Sequence, residues 1–178
     1  MVGGVRPRHR AWARAAQRNV PLPDARISIV SGYDPEYVPA LHTVFLPEPG
    51  RGGWTYYQEH VLFLHELGHV FDQMEMTPAA RDRFRAAAGT TCRWWARHCF
   101  TLNRRSGERI DLPPGEMFAE AYEACALGMT RRQVDDSGAV TYGWDPPNGS
   151  DELLCRVIRE AGVRSFAAYL FRARLERS

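Results

Sequence analysis

The chain has 178 residues, of which 44% are hydrophobic and 25% are charged. This usage predicts one globular domain that buries a substantial core. The formal net charge is only +2, although all 23 basic side chains are arginine, and no apolar run is long enough to cross a bilayer. We therefore expect no nucleic-acid partner, no membrane span and a monomer.

The N-terminal segment 1–24 concentrates positive charge. Five arginines precede Asp24, the first acidic residue. The segment lacks the continuous apolar stretch of a signal peptide, so it predicts an arm or a short amphipathic helix. Residues 25–178 then form the single domain.

Two strands are predicted after this segment, at 26–31 and 42–46, with turn residues between them. A loop rich in Pro and Gly follows at 47–53. These elements predict a small N-terminal sheet.

A helix predicted at about 57–74 carries the motif His65-Glu66-Leu67-Gly68-His69. Residues four apart share one helix face, so both imidazoles can reach one metal ion. Glu66 then stands beside the metal, where a carboxylate can take a proton from a bound water. The alternative is a pair of core histidines, but this helix is apolar nearly all round and unpaired polar groups would be costly to bury in it. The motif predicts a catalytic zinc site with Glu66 as general base.

The remaining chain is predicted to be mainly helical. Thr77 and Pro78 predict a helix start, and further helices are expected at 116–127, 150–161 and 165–175, with Gly162 ending the helix at 150–161. Thr130 and Gln133 resemble a capping box for a short extra turn. Three tryptophans could line a pocket, although packed core is favoured for each: Trp54, Trp94 and Trp95. The whole pattern predicts an α+β fold, with a small sheet, a buried active-site helix and a mainly helical C-terminal part.

A catalytic zinc usually takes a third protein ligand. Glu116 is the strongest candidate, because it lies on one predicted helix face with Glu120 and Glu123. Glu120 is its main competitor; if Glu116 ligates, Glu120 is placed to accept the outer N–H of a ligand histidine. Glu75 is weaker, since a continuing helix would carry it about 9 Å beyond His69 and rotate it away.

Two segments, 65–72 and 116–122, together resemble the gluzincin metallopeptidases, and among them the lethal-factor type of catalytic domain. The resemblance implies a compact zincin-like domain with one zinc ion held by His65, His69 and Glu116. It also implies that Glu66 is the general base and that Glu120 accepts the outer N–H of a ligand histidine.

The same resemblance implies an edge strand above the metal that pairs with an extended substrate, and 42–46 is its natural counterpart; the alternative is that 42–46 is a core strand. One residue departs from the pattern. A Tyr that stabilises the oxyanion is replaced by Arg109, so the donor is open among Arg109, Tyr142 and Tyr122.

The cysteines are even in number and contain no CxxC pair: Cys92, Cys99, Cys125 and Cys155. Three disulfide connectivities are open. Joining Cys92 to Cys99 requires any helix to end between them, and joining Cys125 to Cys155 would fasten the ligand helix to the C-terminal helices. Oxidised pairs, and hence an extracytoplasmic protein, are favoured over free thiols in a cytoplasmic one.

These patterns predict a zinc-dependent metalloendopeptidase acting on peptides or proteins. The alternative is a zinc-containing binding or toxin-type module with little or no hydrolysis, motivated by the unassigned oxyanion donor. Peptide deformylases share the first motif, but their other motifs are missing here.

Overall fold

The computed structural model describes residues 6–23, 28–31, 35–41, 43–47, 53–139, 141–147 and 149–175. It confirms the α+β prediction. Among these residues, no helix combines the length and the apolar character that a membrane crossing requires. The helices and strands in chain order are α1 (Pro7–Ala16), β1 (Ser28–Ser31), β2 (Glu36–Val38), β3 (Thr43–Leu46), α2 (Tyr56–Glu75), α3 (Pro78–Ala87), β4 (Phe100–Leu102), β5 (Arg109–Asp111), α4 (Pro114–Leu127), α5 (Arg131–Asp136) and α6 (Ser150–Leu175).

The N-terminal sheet has the strand order β1-β3-β2. β3 runs parallel to β1 and antiparallel to β2, with Tyr37 opposite Val44. The predicted strand at 42–46 is therefore real over Thr43–Leu46, but the expectation that it forms an edge is wrong, because it has a partner on each side. β2 is an edge strand among the described residues. Positions 26–27, His42 and most of the loop at 47–53 lie outside the described residues.

α2 is the central helix. Its start is fixed by a capping box between Thr55 and Gln58. Gly68 lets α2 approach α4 closely, because a Cβ there would lie 2.8 Å from the Cα of Ala119. The two helices that carry the motifs therefore pack directly against each other.

The loop between α3 and β4 separates the two adjacent tryptophans. Trp94 is buried at 7% exposure, whereas Trp95 is 72% exposed. The expectation of packed core is thus wrong for Trp95, because consecutive residues in this turn point to opposite sides. Trp54 is partly buried against the core, as expected.

The C-terminal helix is continuous. α6 runs through Gly162 without a break, so the predicted division into two helices is wrong. A Cβ at Gly162 would overlap Pro21. The glycine therefore serves close packing rather than helix termination.

Two disulfides join Cys92 to Cys99 and Cys125 to Cys155, with Cα separations of 5.9 and 5.5 Å. α3 ends before Cys92, which permits the first pair, and the second fastens α4 to α6 as expected. Both bonds are compatible with an extracytoplasmic location.

Within the N-terminal segment, Pro7–Ala16 forms α1, whose Arg8 donates to Glu59 of α2 at 2.6 Å.

Candidate metal centre

Three side chains converge between α2 and α4. The Nε2 atoms of His65 and His69 lie 3.3 and 3.5 Å from Oε2 of Glu116. One ligand atom from each residue can be chosen so that all lie within 4.8 Å of one another. This cluster can hold a metal ion. Glu75, the weaker sequence candidate, does not belong to it.

His65 and Glu116 strongly affect each other's protonation. Burial lowers the pKa of His65, but hydrogen bonds to Glu116 and Glu123 raise it well above the ordinary value. Burial likewise raises the pKa of Glu116, yet hydrogen bonds from both histidines hold it far below its usual range. In the metal-free site, positive charge on His65 therefore balances the negative charge of Glu116.

Glu66 lies beside the cluster and is only 4% exposed. Its Oε2 has no hydrogen-bond partner among the described residues. Burial raises its pKa, and the charges of His65 and His69 and a backbone hydrogen bond from Tyr37 lower it only in part. A buried carboxylate with a raised pKa and a free oxygen can accept a proton from a neighbouring water.

Glu123, rather than Glu120, faces a ligand histidine. Oε2 of Glu123 lies 3.4 Å from Nδ1 of His65. Glu120 instead accepts the backbone N–H of Tyr142 at 2.7 Å. Glu120 does not lie behind a ligand, because α4 packs against α2 with Glu123 toward His65 and Glu120 toward Tyr142 and Arg131. Along α4, seven residues return to within about 20° of the direction of Glu116, whereas four overshoot it by about 40°.

A buried arginine supports both acids. Arg131 is 1% exposed and donates to Glu123 at 2.6 Å and to Glu120 at 2.8 Å. It also lies 3.4 Å from Asp135. Arg131 thus connects the carboxylate behind His65 with the one that holds the Tyr142 backbone. The sequence contains no signal for this role, because an arginine one residue after a helix cap is ordinary.

Of the three candidate oxyanion donors, the structure brings one to the cluster. The ring of Tyr142 lies 6.4 Å from that of His65 between centroids. Burial and nearby acids raise the pKa of Tyr142 to about 12, so its hydroxyl keeps its proton at neutral pH. Tyr122 is buried and donates to the carbonyl of Pro21 at 2.8 Å. Arg109 stacks on Phe100 at 3.9 Å in the β4–β5 hairpin, away from the cavity.

A cavity of about 580 Å³ opens over the cluster. It follows α2 from Leu62 to Gln73, about 16 Å at the rise of an α-helix. Glu36 and Tyr37 of β2 also line it. The edge strand nearest the cluster is therefore β2.

Comparisons with protein-family models, with curated proteins and with solved structures found no match. The chemistry of the site is therefore inferred from its own geometry.

The sequence predicts four residues of the centre: His65, Glu66, His69 and Glu116. It gave no sign of Arg131 or of the edge position of β2, and it favoured packed core over a pocket for Trp95. Glu123 had a usable signal, since its spacing of seven from Glu116 places both acids on one face of α4.

Proposed function

We propose that this chain is a zinc-dependent metalloendopeptidase of the gluzincin type. Two imidazoles and one carboxylate are a typical ligand set for catalytic zinc, and the cluster faces a cavity. The observation that carries the proposal is the buried, incompletely bonded carboxylate of Glu66 beside that cluster. A metal site that only stabilises the fold has no need for this costly group.

The proposed reaction assigns a proton path to Glu66. Zinc, when bound by His65, His69 and Glu116, would polarise the scissile carbonyl and acidify a water molecule. Glu66 takes the proton of that water and then passes it to the leaving amine. The Tyr142 hydroxyl donates to the carbonyl oxygen as negative charge develops there.

The substrate class follows from β2, which is an edge strand among the described residues. The backbone N–H of Tyr37 in this strand donates to Glu66, which brings the strand beside the proposed base. An extended peptide can add to such a strand by donating its own backbone N–H groups to the strand carbonyls. This pairing would hold the scissile carbonyl beside the zinc and supports a peptide or protein substrate.

The test compares the wild type with Glu66→Gln for zinc content and for digestion of a peptide library. We expect one zinc in both proteins and cleavage by the wild type alone. Glu152→Gln is the matched control, because the Glu152 side chain is exposed on α6 and does not line the cavity. It should keep both zinc and cleavage.

Full turnover by Glu66→Gln would contradict the proposed mechanism, and a wild type without zinc would contradict the metal site. Stoichiometric zinc without any cleavage would favour the alternative, a zinc-containing binding module.

A further inference from the structure

Trp95 is an exposed aromatic ring at the proposed active site. It lines the same cavity as His69 and Asp72, and it is 72% exposed. Exposed tryptophans at concave sites supply large, rigid contact areas and often dominate binding free energy. The catalytic proposal above assigns no role to this ring.

The Trp95 ring is held in place by a side chain of α3 that is bonded to α2. The guanidinium of Arg81 lies 4.5 Å from the Trp95 ring centroid. Arg81 is itself fixed by two hydrogen bonds to Asp72, at 2.9 Å to the carboxylate and 2.7 Å to the carbonyl. The neighbouring Trp94 donates its indole N–H to Asp72 at 3.1 Å. Asp72 therefore anchors both tryptophans to α2.

A covalent bond further restrains this loop. The disulfide between Cys92 and Cys99 closes the segment that contains Trp95. A ring that is already positioned loses little conformational freedom when a ligand covers it. The exposed area of Trp95 is thus a preorganised surface rather than a loose side chain.

The chemistry of the surroundings favours an apolar or aromatic ligand group. An unoccupied tryptophan face attracts cations. Here Arg81 already contributes a positive charge to the ring and also neutralises Asp72. A second cation would be repelled by Arg81, whereas an apolar or aromatic side chain would bury ring area without an electrostatic cost.

The position on α2 relates Trp95 to the proposed scissile bond. Its anchor Asp72 lies three residues beyond His69, about 4.5 Å along the helix axis. An extended peptide advances about 3.3 Å per residue. We propose that Trp95 forms a subsite for an aromatic or large apolar substrate side chain, within about two residues of the cleaved bond. This inference rests on the proposed peptidase function.

The experiment uses two peptides that differ only by Phe or Ala at the position where the wild type selects an aromatic residue in a library digest. Trp95→Ala should lower kcat/KM about tenfold or more on the Phe peptide, chiefly through KM, and less than about threefold on the Ala peptide. Zinc content and circular dichroism should match the wild type.

Tyr56→Ala is the matched control. Tyr56 is 65% exposed and lies under the Arg8 guanidinium at 5.5 Å, but it does not line the cavity. It should leave both peptides unaffected. An equal fall on both peptides in Trp95→Ala, or a wild type without preference for a large apolar residue, would overturn the subsite.

A binding measurement separates this inference from the peptidase proposal. Zinc-loaded Glu66→Gln, with and without Trp95→Ala, is titrated into fluorescent peptide pools that carry Phe, Ala or Lys at a fixed central position. We expect about tenfold tighter binding of the Phe pool, lost with Trp95→Ala. If that result is obtained and the wild type cleaves nothing, the peptidase proposal is rejected, and Trp95 remains as a binding site for an aromatic or large apolar peptide side chain. Equal binding of the three pools, or a preference for Lys, would overturn the subsite.

Discussion

Two buried clusters on the same helix combine histidine with glutamate, yet only one has the composition of a metal site. Near the start of α2, Glu59 accepts from His9 at 3.0 Å and from Arg8 at 2.6 Å. Farther along, Glu116 has its described ion pairs with two histidines and no arginine. Arginine keeps its proton and so neutralises the first acid permanently, whereas histidines can release their protons and leave the second acid to bind a metal cation.

The placement of arginine makes this difference. Arg8 touches the acid of its cluster directly. Arg131 stands one layer behind the metal cluster, against Glu120 and Glu123, and leaves Glu116 facing the cavity. Neighbouring histidine and glutamate side chains therefore indicate a metal site only where no arginine contacts the glutamate.

The largest expected difference between the two clusters appears when the carboxylate of each is removed. Glu116→Ala should weaken zinc binding roughly 1000-fold or more, beyond the 10- to 100-fold typical of losing an outer partner, since a ligand itself is lost. Glu59→Ala should keep stoichiometric zinc. A chelator-competition titration measures both variants, and equal loss of zinc from the two would show that the clusters do not differ as described.

The two arginines provide the next test. Arg131→Met leaves buried carboxylates without a counter-charge and should lower the free energy of unfolding by about 3–5 kcal/mol. Arg8→Met should cost less than about 1 kcal/mol, because the Arg8 side chain is 26% exposed and water screens its pair. Urea denaturation of the metal-free proteins compares them. Equal costs would mean that Arg131 is no more important to the fold than a partly exposed arginine.

A smaller effect distinguishes the two acids that Arg131 supports. Glu123→Gln should weaken zinc binding about tenfold, because the amide is a poorer acceptor for the outer N–H of His65. Glu120→Gln should change zinc affinity less than about threefold, since Glu120 bonds to Tyr142 and Arg131 instead. The reverse order in a zinc titration would restore the role that the sequence predicts for Glu120.

The smallest predicted effect concerns His60, the residue that follows Glu59 in α2. His60 stacks on Trp12 with centroids 4.6 Å apart, and burial lowers its pKa to about 4. The unfolded chain takes up this proton near pH 6.5, so stability should fall as pH drops from about 6.5 toward 4. After allowance for partial exposure, we expect a loss of about 1 kcal/mol between pH 7 and 5.

Thermal unfolding of metal-free protein across this pH range checks the prediction. His60→Gln should flatten the pH dependence relative to the wild type. An unchanged profile in His60→Gln would contradict the assignment.

The sequence by itself determined the local geometry of the centre. The spacing of four between His65 and His69 follows from helix periodicity, so any helical structure of this segment places both rings on one face. The starts of α3 and α5 were predictable for the same reason, since Thr77 and Thr130 cap the backbone beside them. These features depend on contacts within one or two turns.

Only the tertiary structure decided how the elements meet. Whether Glu120 or Glu123 faces His65 depends on the rotation of α4 against α2, which the close contact at Gly68 sets. Whether β3 is an edge depends on which strands pair with it. The roles of Arg131 and Trp95 likewise arise from contacts between separate elements. Periodicity tells which side chains share a face, but packing free energy alone selects the neighbour that each face receives.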